Sequence, residues 1–182
     1  MQRIYIPVLV IIVTIAAACK KNNSTTNDPN NVPGLPPATQ IGANTFGCLV
    51  NGVPWVPQGS NGTNNLSIDY DPGFNNGIFN IVAKKITAAE NTQIIIGIRD
   101  SLNYVVDTKS YMLTKEGLYG AYYFKDCRLF SGDSMTNIIF GSMTIVKLDR
   151  QRRIIAGSFD FSFTSNLCDT IKITNGRFDF KF

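Results

Sequence analysis

The sequence predicts an all-β protein, an antiparallel meander forming either a β-sandwich or a lipocalin-like up-and-down barrel, and three observations carry that reading. From Asn44 onward no window sustains an apolar period of about 3.6 residues, whereas short β-branched and aromatic runs recur between clusters of Asn, Gly, Asp and Ser. Phe159, Phe161 and Phe163 alternate with Ser158, Asp160, Ser162 and Thr164, the period-two pattern of a sheet with one dry face and one wet face. Asn51-Gly52 separates two short apolar runs and is the dipeptide that best tolerates positive φ at both central positions of a hairpin turn.

Taken in order, the first unit is a hairpin of residues 45–50 and 53–56, and Pro54 and Pro57, which cannot donate to a ladder, place its second strand at a sheet edge or make it very short. Further strands are expected over residues 65–70, 77–83, 93–99, 119–127, 137–148, 153–164 and 170–182, the last three forming the meander. In the last of these, Ile171 and Ile173 are odd-numbered while Phe178, Phe180 and Phe182 are even, so the buried parity changes between them. Asn175-Gly176 explains the change as a β-bulge, with a further hairpin turn as the alternative.

Three segments precede or make up this fold: a signal peptide at 1–18, a tether at 19–43 and the all-β domain at 44–182. Arg3 is followed by an apolar run from Ile4 to Ala18, shorter than the roughly 20 residues a membrane-crossing helix needs. It ends in Ala16-Ala17-Ala18-Cys19, which resembles the lipobox of bacterial lipoproteins, with Ala16 where Leu is usual. That resemblance implies cleavage before Cys19, diacylglycerol on its sulfur and an acylated new amino group. Cys19 is therefore the expected lipidation site and the membrane the expected partner; several acyl chains anchor firmly because each buried CH₂ contributes about 0.8 kcal/mol. Residues 20–43, rich in Pro and Asn, have only Val32, Leu35 and Ile41 as large apolar residues and are expected to be disordered. Lys20 stands where an Asp would be the usual inner-membrane retention signal. The expected location is thus the outer membrane, on its periplasmic face, since no acidic stretch follows the cysteine.

Composition excludes several functions. With no histidine, the chain has no Ser/His/Asp triad, Cys/His dyad or histidine metal site. The domain's own excess is only two positive charges, unlike the basic footprint of a nucleic-acid binder, so no nucleic-acid partner is expected. Asp69 with Asp71, and Asp126 with Asp133, are the carboxylate pairs that a hydrolase would use, but turns favour Asp in any case. No catalytic residue, metal or cofactor is assigned, and the protein is expected not to be an enzyme. Arg150, Arg152, Arg153 and Lys147 form a basic cluster at a hairpin tip, read as a solvated turn.

Gly141-Ser142-Met143-Thr144-Ile145, Lys147-Leu148-Asp149, Ile155 to Phe161 and Ile173 to Asp179, together with Thr45 to Gly52 and Trp55, resemble the pattern of a family of uncharacterised lipoproteins of the Bacteroidota. The resemblance covers both ends of the domain and is loose over residues 58–136. It implies an all-β, lipid-anchored envelope protein of unknown molecular function, and no activity.

After lipidation of Cys19 three cysteines remain, and an oxidising envelope compartment favours one disulfide. Cys127 and Cys168, at strand ends, are the expected pair; Cys48, beside Leu49 and Val50, is expected to be a buried free thiol. Tyr119, Tyr122 and Tyr123 are the candidate binding residues, because consecutive Tyr122 and Tyr123 point to opposite faces of a strand and an exposed Tyr can contact a glycan, peptide or protein partner. The expected function is a non-catalytic binding or structural domain on a lipid anchor, with a lipocalin-like carrier of a small apolar ligand as the alternative.

Overall fold

The computed structural model describes residues 31–114, 117–124, 136–165 and 168–182. In chain order the strands are β1 (Thr45–Val50), β2 (Val53–Trp55), β3 (Leu66–Asp71), β4 (Ile78–Ile86), β5 (Asn91–Ile98), β6 (Lys109–Met112), β7 (Tyr119–Phe124), β8 (Thr136–Asp149), β9 (Ile154–Ser165) and β10 (Cys168–Lys181). A 3-10 turn at Leu102–Tyr104 lies between β5 and β6. The strands make two open antiparallel sheets, one in the order β2-β1-β10-β9-β8-β6 and one in the order β3-β4-β5-β7.

The sheets pack face to face. Phe79 of β4 meets Phe178 of β10 at 6.1 Å between ring centroids, Tyr70 of β3 stacks on Phe182 at 3.6 Å, and Tyr111 of β6 lies against Tyr119 of β7 at 4.5 Å. The period-two alternation supplies the two inner faces: Phe79, Ile81, Ile94, Ile96 and Ile98 from the smaller sheet, Phe159, Phe161, Ile173 and Phe178 from the larger. Full burial of each such side chain contributes about 1.5–3 kcal/mol. Of the two expected architectures the sandwich is therefore correct and the up-and-down barrel is not, because each sheet keeps two unjoined edges. The lipocalin-like carrier loses with it the closed cavity on which it depended.

The hairpin of β1 and β2 turns through Asn51 (φ 50°) and Gly52 (φ 83°), flanked by the pair Val50 and Val53, and β2 is a three-residue edge strand as Pro54 requires. Strands β8, β9 and β10 form the meander. The expected bulge lies in β10, where Ile173 to Gly176 spans one residue more than the facing stretches of β9 and β1. Its conformational roles are divided differently from expectation: Asn175 takes the positive φ (53°), and Gly176 is required for clearance, since a β-carbon there would overlap the ring and carbonyl of Phe159. Strand β6, Lys-Ser-Tyr-Met, has no counterpart among the expected strands. Only Tyr111 of its four residues is buried, too little alternation for a sequence pattern.

Residues 34–43, expected to belong to a disordered tether, are ordered. From Gly34 to Ala43 the chain forms an arm across the outer face of the larger sheet. Gly34 abuts Pro54, with space for a β-carbon only 2.9 Å from the proline ring, Pro36 lies on Gly47, and Gly42 lies beside Lys181 and Ile154. The arm is held by one carboxylate. Oδ2 of Asp179 accepts hydrogen bonds from the Thr39 hydroxyl (2.6 Å) and the amides of Ile41 (3.0 Å) and Ala43 (3.2 Å), and Oδ1 accepts from the amide of Gly42 (2.7 Å). Nη1 of Arg177 donates to the carbonyl of Pro36, and Nζ of Lys147 to that of Gln40. Asp179 is only 1% exposed. Its burial would raise the carboxyl pKa, but the Thr39 hydroxyl and the three arm amides outweigh that and hold it below the ordinary aspartate value.

Candidate functional site

At the end of the sandwich where β1 turns into β2, the two sheets part to leave a cleft of about 460 Å³. Val50, Trp55, Tyr123 and Ile171 line its apolar part, while Lys85, Thr87, Ala89 and Glu90, from the β4–β5 connection, line the other side. Pro54, against which Gly34 of the arm lies, is also part of the wall.

A relay of polar groups crosses the cleft. The indole N–H of Trp55 donates to the hydroxyl of Thr92 (2.8 Å), and that hydroxyl donates to Oε1 of Glu90 (2.8 Å). Oε2 of Glu90 pairs with Nζ of Lys85 at 2.8 Å, both side chains keeping 20–30% exposure. Burial pulls the Glu90 carboxyl upward, but the hydrogen bonds from Lys85 and Thr92 and the charge of Lys85 together hold its pKa below the ordinary glutamate value. The hairpin geometry brings the pair together, since β4 and β5 place Lys85 opposite Thr92, two residues past Glu90. Trp55 reaches Thr92 from the other sheet, with a separation of 37 residues that no local pattern discloses.

The sequence-predicted residues are placed as follows. Tyr123 is buried, 7% exposed, so it is the inward member of the Tyr122–Tyr123 pair, and it contributes to the cleft lining. Tyr119 is half-buried and packs on Tyr111. The backbone of Tyr122 pairs with Ile95 in the ladder. Cys48 is buried, free and pushed up in pKa by that burial. Cys19 and Cys127 lie outside the described residues. The backbone of Cys168 pairs with Ser165 where β10 begins, and the expected Cys127–Cys168 bond lies outside what is described.

Of the four candidate carboxylates, two are among the described residues. Asp69 and Asp71 are both exposed on β3, and Oδ1 of Asp71 accepts the amides of Gly73 and Phe74 at the following turn. Asp126 and Asp133 lie outside the described residues. The basic tip serves the fold: Nη2 of Arg150 donates to the carbonyls of Leu102 and Val105, and Arg152 pairs with Asp149 at 3.7 Å. Among the described residues no cluster of metal-ligating side chains forms, and no helix is long and apolar enough to cross a membrane.

Comparison with protein-family models, with curated proteins and with solved structures finds no match.

Proposed function

We propose that the chain is a lipid-anchored envelope protein of the outer membrane, held by acylated Cys19 on the periplasmic face, whose β-sandwich acts as a non-catalytic binding domain. The observation that carries the anchor is the apolar run from Ile4 closed by Ala16-Ala17-Ala18-Cys19. The binding role is supported by the cleft beside the β1–β2 turn, where a hydrogen-bonded ion pair faces apolar side chains; such a mixture of apolar lining and a few placed polar groups is what ligand sites contain. The resemblance to Bacteroidota lipoproteins agrees with the anchor and adds no chemistry.

Metabolic labelling of cells with a palmitate analogue tests the anchor. The wild type is expected to carry the label and to sediment with outer-membrane fractions; Cys19→Ser is expected to lose both. Equal labelling of the two chains would refute it, and rapid loss of the domain on surface proteolysis of intact cells would place it on the outer face instead.

A further inference from the structure

The chemistry of the cleft narrows the class of ligand, on the reading that the domain is a binding module. Lys85 and Glu90 are paired at 2.8 Å and their charges cancel. A singly charged ligand placed here meets an attracting and a repelling charge only a few ångströms apart, so the pull of one is largely offset by the push of the other. An apolar ligand would cover the ammonium and carboxylate without replacing the water they lose. An uncharged ligand rich in hydroxyls meets neither obstacle. A carboxylate offers about four acceptor sites and an ammonium three donors, and the pair with Thr92 uses only part of that capacity.

An extended peptide strand is excluded by the backbone. In the two-residue hairpin, Val50 and Val53 flank the turn and Cys48 faces Trp55, so the amides of Val53 and Trp55 are directed toward β1. The outward position between them is Pro54, which has no N–H, and β2 therefore cannot extend its sheet by accepting another strand at that rung. Val50 and the exposed Val53 instead offer an apolar surface next to the ion pair. A sugar ring, with a C–H face and a hydroxyl rim, has both complements.

We infer that the cleft between the β1–β2 turn and the β4–β5 connection binds a neutral saccharide, its C–H face against Val50 and Val53 and its hydroxyls hydrogen-bonded to Lys85, Glu90 and Thr87. The Trp55 indole, bonded to Thr92, holds Glu90 in place through that hydroxyl and is a positioning residue.

The test uses the full lipidated chain, purified in a detergent without a sugar headgroup and applied to an array of neutral oligosaccharides. Trp55 is the only tryptophan, so its emission reports titration of the strongest array ligand. Binding is expected in the wild type. It is expected to weaken at least tenfold in Ala89→Phe, which narrows the mouth at an exposed position, and in the double variant Lys85→Ala/Glu90→Ala, which removes both charges together. An unchanged melting temperature in Ala89→Phe separates blockage from misfolding. No neutral oligosaccharide bound, or binding indifferent to Ala89→Phe, overturns the saccharide assignment. The same titration with a charged tripeptide and with a lysophospholipid separates the two levels: a Trp55 response to either, abolished in Ala89→Phe, replaces the saccharide and keeps the binding module, whereas silence toward all three probes removes both.

Discussion

Asp179→Ala is expected to free the arm from the sandwich and to lower stability by about 2–4 kcal/mol. Hydrogen bonds to a charged group contribute about 1.5–3 kcal/mol each, and Asp179 accepts four of them from Thr39, Ile41, Gly42 and Ala43. The loss is smaller than their sum because the arm can detach and its amides can reach water. For a domain of this size the melting temperature should fall by roughly 10 °C. Asp179→Asn should lie between, since an amide retains one accepting oxygen but opposes an N–H donor with its own NH₂. Limited proteolysis should cut both variants within residues 34–43 while β1 to β10 remain intact, and an arm that stays protected in Asp179→Ala would disprove the clasp. The carboxyl is held below its ordinary pKa in the folded state, so its stabilising contribution is fully present above the unfolded value, near 4, and is lost as pH falls through the folded value. Wild-type arm cleavage should consequently rise on acidification below about pH 4, and Asp179→Ala should abolish that dependence.

Gly176→Ala carries the second large effect, a destabilisation of about 1–3 kcal/mol, the usual range for overpacking a filled core. The added methyl would overlap both the ring and the carbonyl of Phe159. That ring has little room to yield, because it stacks on Phe46 at 5.1 Å and lies 6.5 Å from Phe178. The neighbouring Asn175→Gly should be neutral or slightly stabilising, since glycine adopts φ 53° without strain. Chemical denaturation of the two variants distinguishes the roles; equal stability of Gly176→Ala and wild type would show that the bulge can re-form around a side chain.

The bulge itself was legible, because a parity switch from Ile173 to Phe178 across Asn175-Gly176 has few other physical causes. So were the first hairpin and the meander, whose turn chemistry and alternation are local. The arm was not. Its composition lacks the apolar surface that ordering usually needs, and it is ordered by another means, backbone amides converging on a single carboxylate some 140 residues away. Asp179 and Arg177 alternate with the inward Phe178 and Phe180 and so stand on the outer face of the sheet, yet both are buried beneath the arm. The cleft lies between these cases. Lys85 and Glu90 bracket a short Ile-Thr-Ala-Ala turn, a local spacing that the sequence analysis did not use, whereas the Trp55 and Thr92 contact joins different sheets and has no sequence signal. Strand propensity and ligand contact select the same residue type, so the sequence does not say which of Tyr122 and Tyr123 faces inward; it is Tyr123, whose buried side chain lines the cleft.

Binding at the cleft is read most directly by nitrogen-15 NMR of the Cys19→Ser chain titrated with the strongest neutral oligosaccharide from the array. The expected result is concentration-dependent shifts of the Trp55 indole N–H and of the Thr87, Ala89 and Glu90 amides, with the outer face of β3 and β4 unchanged. Saturating ligand that leaves these signals in place, or that moves only the Ser67, Asp69 and Val82 amides of that outer face, would contradict it.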